Sequence, residues 1–160
     1  MSARVILLVE DNPQDEFLIR RSLTALHPGN RVDVVRDGQQ ALDYLFREGE
    51  FAHLQGEALP VAVLLDIDLP EIGGHEVLAR LRIDQRTQCL PVVVLTSSLA
   101  EQDCLKSYAH GANGFVRKPL ELVDLVEAVK RLGSFWLDIN ESPLSGQAAP
   151  QVIPGGVTRH

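Results

Sequence analysis

Short runs of consecutive apolar, largely β-branched residues recur along this chain: RVILLV at Arg4 to Val9, VAVLLD at Val61 to Asp66 and VVVL at Val92 to Leu95. A strand with one face in water alternates apolar and polar side chains, whereas a strand covered on both faces reads as an unbroken apolar run. Such runs are therefore the inner strands of a parallel sheet. Parallel neighbours need crossover connections, which are usually helices and right-handed.

The segments between the runs supply those helices. Asp11-Asn12-Pro13 offers a capping residue and a proline suited to a first helical turn, and Phe17, Leu18, Arg21, Leu23 and Leu26 follow in amphipathic rhythm to an end near His27-Pro28-Gly29. Arg31 to Val35 reads as a second strand, and Asp37 caps a helix running to about Phe46. Arg47 to Pro60 is longer than a minimal connection and is expected to be an exposed loop. Gly73 and Gly74 open a third helix with Val77, Leu78 and Leu81 as its stripe, and a fourth spans roughly Ala100 to Ala109. Phe115 to Lys118 is the fifth strand, and Leu120, Leu122, Leu125, Val126, Val129 and Leu132 outline a last helix. Five strands alternating with five helices predict a doubly wound α/β fold, a central five-stranded parallel sheet with helices on both faces.

The 160 residues suit one domain, expected over residues 1–137, and are too few for a second full domain beside it. Residues 138–160 turn rich in Pro, Gly, Ser, Gln and Ala and are expected to form a flexible tail. The apolar runs are far shorter than a bilayer span and the N-terminus lacks a secretory apolar region, so a cytoplasmic location is expected and no membrane contact. Cys89 and Cys104 form no CxxC or Cys/His pattern and fit reduced thiols. A net charge of -7 without a Lys/Arg cluster argues against direct nucleic-acid binding. His27, His53, His75, His110 and His160 share no ligand spacing and read as surface residues.

In a doubly wound sheet, ligands bind beyond the carboxyl ends of the strands. The first strand ends in Glu10-Asp11, the third in Asp66 followed by Asp68, the fourth in Thr96-Ser97-Ser98 and the fifth in Lys118-Pro119. Carboxylates gathered at one edge repel one another unless a cation or raised pKa values relieve them. Oxygen-only ligands with room for water suit Mg²⁺.

An acidic pair after strand one, an Asp after strand three, a Thr after strand four and a Lys-Pro after strand five resemble the receiver domains of response regulators, the CheY-like family with its flavodoxin-like (βα)5 fold, over about Ala3 to Gly133. The resemblance implies that Asp66 accepts a phosphoryl group from a histidine kinase. It implies that Glu10, Asp11 and Asp66 hold Mg²⁺ with the backbone carbonyl of Asp68, that Lys118 and Ser97 contact the phosphoryl group, and that Thr96 and Phe115 form the switch. Pro119 is then structural, preceded by a cis peptide bond. Asp68 departs from the commonest pattern, and its extra carboxylate is expected to alter hydrolysis of the adduct.

The ending Gly133-Ser134-Phe135-Trp136-Leu137 and the long Arg47 to Pro60 segment resemble the stand-alone receivers that partner phytochrome-type kinases, including bacteriophytochromes. That subset commonly forms homodimers near the last helix, where Phe135 and Trp136 would be apolar anchors; alternatively both rings fold onto their own core. The function implied is a phosphorylation-controlled binding module rather than an enzyme, switching the surface around helix four, strand five and the last helix. A phosphorelay intermediate serving a histidine phosphotransfer protein would use the same residues. A haloacid-dehalogenase-like phosphohydrolase is a further alternative, but it requires a DxD nucleophile after strand one, where Glu10-Asp11-Asn12 stands.

Overall fold

A computed structural model describes residues 4–26 and 29–143. The strands β1 (Val5–Val9), β2 (Arg31–Val35), β3 (Ala62–Leu65), β4 (Val92–Thr96) and β5 (Gly114–Arg117) form one parallel sheet in the order β2-β1-β3-β4-β5. They alternate with α1 (Pro13–Leu26), α2 (Gly38–Phe46), α3 (Gly74–Ile83), α4 (Glu101–Ala109) and α5 (Leu122–Ser134). The expected doubly wound architecture is therefore present. The three unbroken apolar runs occupy the inner positions, and every residue of β3 and β4 is buried.

Each face of the sheet carries its own core. Leu7, Val9, Val63, Leu65, Val92 and Val94 meet α2 and α3 through Ala41, Leu45, Val77, Leu78 and Leu81. On the opposite face Ile6, Leu8, Leu64, Val93 and Leu95 meet α1 and α5 through Ile19, Leu23, Leu125 and Val129. Burying each such side chain contributes about 1.5–3 kcal/mol, so these two layers hold the sheet between them. Gly133 lets α5 close on α1: a Cβ there would stand 2.8 Å from Leu23 Cδ2 and nearer still to Leu26. The amino end of the sheet is tied down by Arg4, whose guanidinium donates to the Leu137 carbonyl.

Several expected boundaries move. In α1 the buried residues are Ile19, Ser22 and Leu23, while Phe17 is largely exposed, because the sheet meets the helix on a stripe rotated from the one the apolar spacing suggests. Leu120 precedes α5 and is fully exposed, so the stripe of that helix begins at Leu125. Arg47 to Pro60 is not simply an exposed loop. Gly49–Leu54 forms a 3₁₀ helix whose Phe51 and Leu54, with Leu59, pack on the α2 side of the core, and Phe51 meets Tyr44 edge to face at 5.3 Å. Arg47, in a left-handed conformation with φ 58°, fastens the segment by donating to the carbonyls of Tyr44 and Ala58 at 2.9 Å each. At the other end, Phe135–Ile139 continues α5 as a π turn. The expected tail thus starts within ordered structure, and residues 144–160, like His27 and His160, lie outside the described residues.

Candidate functional site

The sheet delivers the chemistry-bearing residues to one edge by extending its ladder past the strands. Glu10 N–H donates to Val35 O at 3.0 Å, Asp66 N–H to Val9 O at 3.1 Å and Lys118 N–H to Thr96 O at 2.7 Å. Each side chain is therefore held in register by the backbone beneath it. Asn12 caps α1 through Gln14 N–H and Asp15 N–H, both at 3.0 Å, which fixes where the chain turns after the acidic pair. Opposite, a Cβ on Gly74 would lie 2.6 Å from both Asp66 O and Ile67 Cα, so only glycine lets α3 begin this close to Asp66.

Glu10, Asp11 and Asp66 converge with one carboxylate oxygen from each within 4.8 Å of the others. Glu10 and Asp66 are buried, and Asp11 faces solvent. Three hard oxygen donors with one open side fit a divalent cation that keeps several waters. Lys118, its side chain 5% exposed, donates to Glu10 Oε1 at 2.7 Å, Asp15 Oδ2 at 2.9 Å and Asp66 Oδ2 at 3.3 Å. Burial pushes the Glu10 carboxyl up to about 7; the Lys118 hydrogen bond and charge pull it down without prevailing, and Asp66 adds repulsion. Burial disfavours the Lys118 charge, yet the hydrogen bond it donates to Glu10 and the negative charges around it hold the ammonium above the ordinary lysine range. The centre is thus an ammonium cradled by carboxylates, with surplus negative charge left to attract a cation.

The remaining strand-end residues close the site. Asp66 Oδ1 accepts from Asp68 N–H at 3.0 Å. Thr96 Oγ1 is buried, accepts from Ser98 N–H at 3.2 Å and points its hydroxyl at Asp68 Oδ2, 3.5 Å away. Ser97 is exposed at the rim, and Ser98 caps the approach to α4 by accepting from Ala100 N–H at 3.2 Å. The arrangement can bind a cation, present the Asp66 carboxylate to an incoming electrophile and meet new negative charge with Lys118.

The family model of the response regulator receiver domain matches residues 6–130. The chain belongs to this family. The receiver is 41% identical over 140 residues to the probable methanogenesis regulatory protein FilR2 of Methanothrix harundinacea, covering 87% of each chain. It is 36% identical to the response regulator Rcp1 of Synechocystis over 84% of this chain and 90% of that one, and the Mn²⁺-bound structure of Rcp1 superposes with a TM-score of 0.81 over 88% and 99% of the two chains. The phosphorylated cyanobacterial phytochrome response regulator RcpA is 38% identical, with a TM-score of 0.83 over 89% of this receiver and 99% of that chain. This receiver is related to phytochrome response regulators and shares their two-component signalling fold.

Three residues depart from the sequence reading. The peptide before Pro119 is trans, since no cis bond occurs among the described residues; an X-Pro amide favours trans by only about 0.5–1 kcal/mol, so its geometry follows the surrounding loop rather than the ring. Asp15 enters the centre through Lys118 although its position in α1 reads as an ordinary first-turn acid, and no local spacing marks it out. His75 is not merely a surface side chain: its Nε2 lies 3.0 Å from Ser107 Oγ, and its ring stacks on His110 at 5.7 Å between centroids.

The receiver's other expected residues separate by location. Phe115 is half-buried against the α3 side of the core, with the Arg117 guanidinium 5.3 Å above its ring. Trp136 packs on the α1/α5 core, whereas Phe135 is exposed and meets the Trp136 ring edge to face at 4.9 Å. Phe135 also closes a shallow hollow lined by Val116, Ala128, Arg131 and Leu132. No helix among the described residues is long and apolar enough to cross a membrane.

Proposed function

We propose that this receiver accepts a phosphoryl group on Asp66 from a sensor histidine kinase of the phytochrome type, including bacteriophytochromes, in the cytoplasm. The observation that carries this reading is the buried Lys118 ammonium facing Asp66 beside the Glu10, Asp11 and Asp66 oxygens. An Asp66 carboxylate oxygen forms the new bond to phosphorus as the P–N bond of a phosphohistidine breaks, and its electron pair returns to the imidazole nitrogen, which takes up a proton. Mg²⁺ held by Glu10, Asp11, Asp66 and the Asp68 carbonyl supplies charge neutralisation at the phosphoryl oxygens. Lys118 and Ser97 contact the transferred group, Thr96 turns its hydroxyl toward it, and Phe115 follows into the vacated space. The module works by binding rather than turnover, through α4, β5 and α5, with Phe135 seated in a homodimer interface. Kinship with RcpA and Rcp1 supports the phytochrome partnership.

The test is incubation of purified protein with acetyl phosphate and Mg²⁺, read by intact mass with Asp66→Asn as control. A single labile, Mg²⁺-dependent phosphoryl adduct absent from the variant is expected. No adduct on the natural protein would make this a receiver that signals without phosphorylation, and sustained turnover of phosphate esters would make it a hydrolase.

A further inference from the structure

Lys118 has no hydrogen to spare. An ammonium carries three donors, and carboxylate oxygens of Glu10, Asp15 and Asp66 stand at 2.7, 2.9 and 3.3 Å from its Nζ. A phosphoryl group arriving on Asp66 therefore needs one of these bonds to be given up. Glu10 cannot yield: it is 1% exposed and its second oxygen is held by Asn12 N–H at 3.1 Å. Asp66 is the acceptor itself. Asp15 is different, because its side chain is 22% exposed on the first turn of α1 and can rotate into water without leaving a buried charge.

We infer that Asp15 is a positioning residue of the phosphoryl-transfer site, the partner that Lys118 releases when the phosphoryl group arrives. The inference rests on the phosphoacceptor reading of Asp66 and adds a residue to it. Until release, the Asp15 carboxylate offsets the charge of the Lys118 ammonium that faces Asp66, and so opposes an incoming dianion. Glu10 and burial keep Lys118 in place without it. Removing the Asp15 charge while preserving its shape should thus favour transfer rather than disorder the site.

Asp15→Asn tests this, since the amide still offers an oxygen to Lys118. With acetyl phosphate and Mg²⁺, the variant should form its adduct about threefold faster than the natural protein, within the range for a partly exposed ion pair. The acceleration should vanish in a Lys118→Gln background, which a general effect on α1 would not. An equal or slower rate, or acceleration that persists without Lys118, overturns the inference while leaving Asp66 as acceptor. Absence of any adduct on the natural protein instead defeats the phosphoacceptor reading. A second measurement needs no adduct: hydrogen exchange of the Lys118 ammonium, followed by NMR, should quicken in Asp15→Asn, and an unchanged rate also overturns the inference.

Discussion

Lys118 and Glu10 face each other at 2.7 Å, and their opposite responses to burial make the site sensitive to acid. Glu10 ionises at about 7 in the metal-free fold against 4.5 ordinarily, so the fold binds its proton more tightly than the unfolded chain does. The stability owed to that proton is complete below about 4.5 and is lost as pH rises toward 7. A divalent cation needs the carboxylate and must displace the proton, so its affinity runs the other way. Calorimetric Mg²⁺ titrations should show binding weakened about tenfold from about pH 8 to about pH 6, one proton exchanged per ion; a flat profile would exclude Glu10 as the ligand that titrates. At Asp68 the expectation is more local. Its carboxylate stands 3.5 Å from the Thr96 hydroxyl and, on the proposed acceptor role of Asp66, would compete with a phosphoryl oxygen for it, so Asp68→Asn should lengthen the adduct's lifetime about threefold. An unchanged decay rate would remove any role for that side chain. Glu10, Asp11, Asp66, Thr96 and Lys118 were legible because each ends a strand, and strand ends are set by the apolar runs before them. Asp15 was not, since its role depends on how far Lys118 reaches across from β5, a distance no local pattern encodes.

Among the elements, the inner strands were the easiest to read and the partly buried pieces the hardest. A strand covered on both faces cannot hide its composition, so β1, β3 and β4 stand out as continuous runs. The 3₁₀ helix at Gly49–Leu54 covers the core with only Phe51 and Leu54, too few apolar residues to establish a period. Helix α4 is the informative exception among the helices. Its one buried residue is Ser107, while Leu105 and Tyr108 on it and Leu99 just before it are exposed. With so little apolar area holding it, α4 belongs to the least stable part of the fold. Native-state hydrogen exchange should find its amides opening well before those of α3 or α5. Equal protection across the three helices would show that the His75–Ser107 contact and its neighbours hold α4 as firmly as a packed stripe does.

At the scale of the molecule, the two aromatic rings that end α5 have divergent fates. Trp136 lies on the α1/α5 core, so Trp136→Ala should cost about 3 kcal/mol or somewhat less for its partial burial, and lower the unfolding midpoint accordingly. Phe135 is exposed above its hollow, so Phe135→Ala should leave that midpoint within about a degree or two while weakening self-association seen by size-exclusion. A fall in midpoint with unchanged association would place Phe135 in the fold instead. The ladder bonds that run one residue past β1, β3 and β5 have a consequence of their own. Because Glu10, Asp66 and Lys118 are each pinned by a rung of the same sheet, the reactive edge has no softening point separate from the scaffold. Heating should leave the edge at Asp66 intact until the sheet itself gives way, whereas α4, held by so little apolar area, should come loose at gentler temperatures.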